Sequence, residues 1–286
     1  MSAKLSARSI SLALVLLFAY SSTATQGQNS QSLSGTLVVA VPVNDGVVVC
    51  SDKRVYNRDA GTFADNFVKI RKVSDNALFA ATNTFGFWDP KRHKLAFDAF
   101  EITTGYAAKH NFVDGPQFWN GLKKEISGRL REYLAKREFA EWPESDKENN
   151  DLLFNLVFYS VADDRVRSHT LKVFYEKAAT PVIYVADPVR EEVKTPKLSG
   201  KGTELLNYLA RNPELARDPA ILRFDSARFD QDLTTKTDAV SFAKTLFRIT
   251  NTALPQARVS STFDCASLNS QNGFQWVNES GSMIDR

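Results

Sequence analysis

The sequence predicts an α+β fold in which strands and helices segregate into layers. Strand signals come as hairpins, helical signals come as pairs between them, and no strand–helix–strand alternation recurs along the chain. With no internal repeat and no clear linker after residue 35, residues 36–286 read as one domain.

Taken in order, Thr36 to Val43 and Gly46 to Asp52 are short β-branched runs joined by Asn44-Asp45-Gly46, a strong hairpin signal. Phe67 to Val73 and Ala77 to Thr82, separated by Ser74-Asp75-Asn76, predict a second hairpin. Two helices follow, Lys91 to His110 and Gly115 to Glu141. The second carries Phe118, Leu122, Ile126, Leu130 and Leu134 at helical spacing, with Trp119 adjoining. Its charged side, including Lys123, Lys124, Arg129 and Arg131, reads as a solvated face rather than a nucleic-acid surface. Strands return at Leu152 to Val161, Ser168 to Glu176 and Pro181 to Ala186. Helices at Gly202 to Arg211 and Thr237 to Ala253 flank a polar stretch, and a closing hairpin pairs Ser261 to Leu268 with Gly273 to Val277.

The N-terminus reads as an address. Lys4 and Arg8 precede an apolar run from Ile10 to Ala19 and a small-residue exit at Ser22-Thr23-Ala24, the pattern of a secretory signal peptide over residues 1–24. The run is about half of the roughly 20 residues needed to span a bilayer, so no stable membrane anchor is expected after cleavage. Residues 25–35 have no apolar period and read as linker or pro-segment. Lys4 and Arg8 also supply two of the three net positive charges, so the basic bias belongs mainly to this segment and gives no ground for an anionic partner. In an oxidising compartment Cys50 and Cys265 either pair or remain two separate buried thiols.

Composition excludes several chemistries. Two cysteines and three scattered histidines, His93, His110 and His169, leave little for a zinc site or a Ser-His-Asp triad. There is no P-loop, nucleophile elbow, zincin helix or dinucleotide fingerprint. Asp163-Asp164 and Asp225, Asp230 and Asp232 lack calcium-loop spacing. No metal or cofactor is expected. One chemistry needs neither imidazole nor metal: a threonine at a free N-terminus, whose hydroxyl is the nucleophile and whose α-amine is the base.

The segment Gly35-Thr36-Leu37-Val38-Val39-Ala40, the turn at Gly46, the strand ending Ser51-Asp52-Lys53-Arg54, and then Val68-Lys69-Ile70 resemble the opening of proteasome β subunits and their bacterial N-terminal-nucleophile relatives. Counted from Thr36, Gly46 and Asp52 fall at the family spacing and Lys69 one residue late. Element order resembles the family over most of Thr36 to Val277, and Val259 to Val277 looks like its closing hairpin. Departures are also plain. Gly200-Lys201-Gly202 stands where the family has Gly-Ser-Gly. Gln256 to Ser261 lacks the helper Asp and Ser, and Thr82-Asn83-Thr84 replaces a Gly-rich oxyanion loop. Taken singly, Thr36 also reads as a strand residue, Asp52 and Arg54 as an exposed ion pair, and Lys69 as an edge lysine.

The resemblance implies a four-layer αββα sandwich of two antiparallel sheets flanked by helix pairs. It implies an exported threonine-type peptidase or amidohydrolase acting on peptides or proteins. Thr36 would be the nucleophile, Lys69 would set the electrostatics, Asp52 and Arg54 would orient Lys69, and Thr82 and Asn83 would offer the oxyanion loop. It further implies homo-oligomers, with no interface legible in one chain. The departures point instead to a catalytically silent structural or binding subunit of the same fold.

Overall fold

Leu37–Val43 and Gly46–Asp52 are buried at every position, which explains the apolar runs Leu37 to Val43 and Val47 to Cys50: a strand covered on both faces has no polar side to show. In the computed structural model the described residues are 31–34, 36–57, 62–83, 85–89, 94–136, 151–163, 165–176, 182–186, 189–225 and 228–285. The signal-peptide expectation for residues 1–24 lies outside them.

The strands are β1 (Gln31–Ser34), β2 (Leu37–Val43), β3 (Gly46–Asp52), β4 (Val55–Asn57), β5 (Thr62–Ala64), β6 (Ile70–Ser74), β7 (Ala77–Asn83), β8 (Gly86–Asp89) and β9 (Lys94–Asp98). After helices α1 (Ala99–His110) and α2 (Pro116–Lys136) come β10 (Asp151–Ala162), β11 (Arg165–Glu176), β12 (Val182–Val185), β13 (Val189–Glu192) and β14 (Lys197–Gly200). Helix α3 (Gly202–Arg211), the single turns α4 (Pro213–Ala216) and α5 (Pro219–Leu222), and α6 (Lys236–Ala253) precede β15 (Phe263–Asn269), β16 (Gly273–Val277) and β17 (Met283–Ile284).

The result is an α+β fold with antiparallel sheets. One six-stranded sheet runs β14-β2-β3-β15-β16-β17; another runs β12-β11-β10-β7-β6, with β13 also pairing β11. Strand alternation sends Val38, Ala40, Val47 and Val49 of the first sheet against Ile70, Leu78, Ala80, Val157 and Tyr159 of the second. The opposite face of the first sheet, with Leu37, Val39 and Val41, packs on α3 and α6 through Leu205, Leu209, Ala243 and Phe247. The opposite face of the second, with Phe79, Ala81, Leu156 and Phe158, packs on α1 and α2 through Phe100, Phe118, Leu122 and Ile126.

Capping explains two helix starts. Asp98 accepts the Phe100 and Glu101 N–H groups, and Thr235 and Asp238 form a reciprocal capping box on α6. The Asp98 cap also corrects one expectation. Residues 94–98 form strand β9 rather than the start of a helix, because they pair with β8, Phe87 opposite Phe97 and Gly86 opposite Asp98. The expected strand over Phe67 to Val73 begins only at Ile70, and α2 is described to Lys136.

A third sheet, β5-β4-β1-β8-β9, corrects the expectation of two. Its strands are three to five residues long or lack alternation, so no apolar period announces them. Its central strand is β1, from the stretch expected to be linker. Leu33 and Ser34 pair with Asn57 and Tyr56 of β4, while Gln31, Ser32 and Leu33 pair with Trp88, Phe87 and Gly86 of β8. Backbone pairing on both sides orders a segment whose side chains carry no pattern.

Candidate active site

Thr36 sits between β1 and β2, 1% exposed. Its position is fixed from both sides. The next amide, Leu37 N–H, donates to Asp52 Oδ1 at 2.8 Å, and the Thr36 carbonyl accepts the Lys201 N–H at 3.0 Å. The second contact requires Gly200: it holds φ +71°, and a Cβ there would collide with the Thr36 carbonyl oxygen and press on the Thr82 side chain. Thr36, Gly200 and Thr82 are thereby brought together.

Asp52, at the end of β3, gathers donors. Its Oδ2 accepts the Arg54 N–H at 3.0 Å, Lys69 Nζ at 3.1 Å and the Ser260 N–H at 3.5 Å. Both Asp52 and Lys69 side chains are fully buried. Burial pushes the Asp52 carboxyl up, against the Lys69 charge and the Leu37 and Ser260 amides. Burial likewise pushes Lys69 down from its ordinary value, against the attraction of Asp52 and Asp65 and with help from Arg54. Burial opposes the charged form of each group and the partner's charge upholds it, so the two hold their charges only as a pair.

Arg54 is placed differently from the expectation. Its backbone N–H holds Asp52, but its guanidinium grips Asp65 through two 2.8 Å contacts and reaches Asn251 Oδ1 at 3.3 Å and the Val259 carbonyl at 3.4 Å. The side chain therefore ties the β4–β5 hairpin to the end of α6 rather than orienting Lys69 directly. Nε and Nη2 form a bidentate fork on Asp65 while Nη1 serves Asn251 and Val259, so no guanidinium nitrogen is left over for Asp52. Asp65 in turn is held below its ordinary value by the Arg54 hydrogen bonds, against burial and with smaller help from the Arg54 charge, the Ser260 hydroxyl and the Lys69 charge.

Thr82 is buried, and its Oγ1 accepts from Asn155 Nδ2 at 3.3 Å. Asn83 adopts φ +65°, the left-handed conformation that Asn tolerates better than most non-Gly residues. Lys201 contributes its backbone N–H to Thr36, while its ammonium pairs with Glu204 near the surface at 2.6 Å. Cys50 and Cys265 lie directly opposite across β3 and β15 and form a disulfide. Among the described residues no His, Cys, Asp and Glu cluster could hold a metal ion, and no helix is long and apolar enough to cross a membrane.

Asp65, Asn251 and Ser260 were not singled out from the sequence as parts of this site. Ser260 is buried and joins through its backbone N–H to Asp52, so its residue type carried no signal. Its hydroxyl lies 2.8 Å from Thr262 Oγ1. No protein-family model matches the chain, and no curated protein matches it.

Proposed function

We propose that the chain is an exported threonine-type peptidase or amidohydrolase of the N-terminal-nucleophile class, activated by cleavage before Thr36. The observation that carries this reading is the buried Asp52–Lys69 pair anchored to the amide that follows Thr36. The order of helix pair, sheet, sheet and helix pair supports the four-layer arrangement of that class.

In the uncut chain the Thr36 nitrogen is an amide and has no base strength. Attack of Thr36 Oγ on the Gly35 carbonyl carbon would move the acyl group from nitrogen to oxygen. The C–N bond breaks, the nitrogen takes the proton, and water hydrolyses the ester to release the Gly35 carboxylate. The freed α-amine, with an ordinary pKa of about 7.7–8.0, then serves as base for the Thr36 hydroxyl. A charged Lys69 favours the neutral amine and steadies developing negative charge, and Asp52 holds that lysine. Backbone N–H groups of Thr82 and Asn83, at the end of β7, would face the oxyanion.

Strand β1 supports the same reading. It fills a slot between β4 and β8, and its loss would leave two facing strand edges. An extended peptide entering that slot would gain backbone hydrogen bonds on both sides and bring a carbonyl toward Thr36.

The test is hydrolysis of a peptide library by purified wild-type protein and by Thr36→Ala and Thr36→Ser variants. Activity in the wild type, lost in Thr36→Ala and partly kept in Thr36→Ser, supports the proposal; equal hydrolysis by wild type and Thr36→Ala overturns it. A second reading, a catalytically silent binding or structural subunit of this fold, is favoured by Lys201, whose ammonium is engaged with Glu204 where a hydroxyl would assist.

A further inference from the structure

Arg258 occupies an unusual position beside the slot that β1 fills. It closes the short 3-10 turn Pro255–Ala257 with φ 55° and ψ 36°, a left-handed backbone that costs any residue with a Cβ and that glycine adopts freely. Its side chain is laid on Tyr56 of β4, with the guanidinium carbon 3.6 Å from the ring centre. Tyr56 stands directly opposite Phe63 of β5, ring centres 4.9 Å apart, so the ring that carries the guanidinium is itself packed on a second ring. The neighbouring Arg54 also lies over Phe63, but its charge is answered by Asp65. Among the described residues Arg258 has no acidic partner, and its half-buried cation lies on the π face of Tyr56.

The register of β1 says what would meet it. Ser34 is directly opposite Tyr56. In antiparallel pairing, opposite residues share a face of the sheet with Cβ atoms about 4.5–5.5 Å apart. A peptide residue in the register of Ser34 therefore stands on the Tyr56 face, beside the guanidinium. Ser34 is two residues before Thr36, so this is the second residue before the bond that Thr36 would attack.

We propose that Arg258, carried on Tyr56, selects an acidic side chain at the second position before the cleaved bond. The inference rests on the peptidase reading and on β1 marking the path of the substrate. A carboxylate there gains a charge-assisted hydrogen bond from a guanidinium that makes none to the described residues, whereas a lysine there meets a like charge.

Two measurements separate this inference from the reading beneath it. In the full chain carrying Thr36→Ala, which keeps β1 in place, Ser34→Glu and Ser34→Lys are compared by thermal unfolding. This is done with Arg258, with Arg258→Lys and with Arg258→Asn, the last because Asn accepts the left-handed backbone. The expected result is a higher melting temperature for Glu than for Lys, kept in Arg258→Lys and abolished in Arg258→Asn. In the processed protein, peptides differing only in Glu or Lys at that position are expected to differ about tenfold in kcat/KM, the ratio collapsing in Arg258→Asn. Hydrolysis without a Glu preference, together with a Glu–Lys melting difference that survives Arg258→Asn, overturns the proposal and leaves the peptidase reading standing. An Arg258-dependent melting difference in a protein that hydrolyses neither peptide supports the acidic recognition and overturns the peptidase reading.

Discussion

Lys69 Nζ lies 3.1 Å from Asp52 Oδ2 with both side chains fully buried, and the other oxygen of Asp52 holds the amide next to Thr36. One carboxylate thus fixes both the cation and the strand that begins at the proposed nucleophile. Burying two charges is costly, and the gain from pairing them is returned only while both are present.

Removing one partner should therefore be severe. Lys69→Met is expected to cost about 3–5 kcal/mol in urea unfolding, because it strands a buried carboxylate. Adding Asp52→Asn should cost less than the sum of the two single changes, since Asn leaves no charge unpaired and can still accept the Leu37 N–H. Additive losses would show that pairing is not what holds these side chains in place.

Gly200→Ala should be destabilising by about 1–3 kcal/mol or more, because the residue must keep a left-handed backbone while its new Cβ meets the Thr36 carbonyl. The same change should slow any processing before Thr36, measured as the rate at which the precursor band disappears. Gly202→Ala should also be costly, because its Cβ would meet Leu198 Cβ, the root of a side chain that cannot swing away.

The disulfide joins residues 215 apart in sequence, so it constrains a long loop of the unfolded chain. Replacing Cys50 and Cys265 together by Ala should lower stability by about 2–5 kcal/mol in denaturant unfolding. An unchanged unfolding midpoint would contradict a structural role for the bond.

His169 gives a pH dependence away from the site. It is nearly fully buried, stacked on Trp119, and its Nε2 lies 3.0 Å from Asp114 Oδ1. Burial, with Arg190 and Arg167 adding to it, outweighs Asp114 and holds the imidazole below its ordinary value of 6.5. The unfolded chain therefore takes up this proton first as pH falls. The contribution to stability is full above about pH 6.5 and is lost as pH drops through the folded value. Urea unfolding between pH 7.5 and 5 should show a falling midpoint, and His169→Gln should flatten that slope.

The two strands β2 and β3 were legible because their apolar runs are unbroken and Asn44-Asp45-Gly46 marks the turn. The closeness of Thr36, Asp52 and Lys69 was legible through the family spacing, which the Leu37–Asp52 and Lys69–Asp52 hydrogen bonds match. Asp65, Asn251 and Ser260 were not. Arg54 finds Asn251 across 197 residues of sequence, and Ser260 meets Asp52 across 208 through a backbone N–H that any non-proline residue would supply. Arg54 was assigned to Lys69 because the sequence shows the guanidinium but not which carboxylate claims it. Strand β1 escaped because backbone pairing on both edges leaves no periodic trace in Gln31-Ser32-Leu33-Ser34. The Cys50–Cys265 pairing was open for a related reason: two cysteines in separate strands carry no register until the sheet order is known.

The most direct test of Thr36 as a nucleophile is the intact mass and N-terminal sequence of the purified protein expressed from its full sequence, in wild type and in Thr36→Ala. The account predicts a wild-type chain beginning at Thr36 and a Thr36→Ala chain that retains Gln31 to Ser34. A mature wild-type chain that also retains Gln31 to Ser34, identical in both proteins, would contradict it.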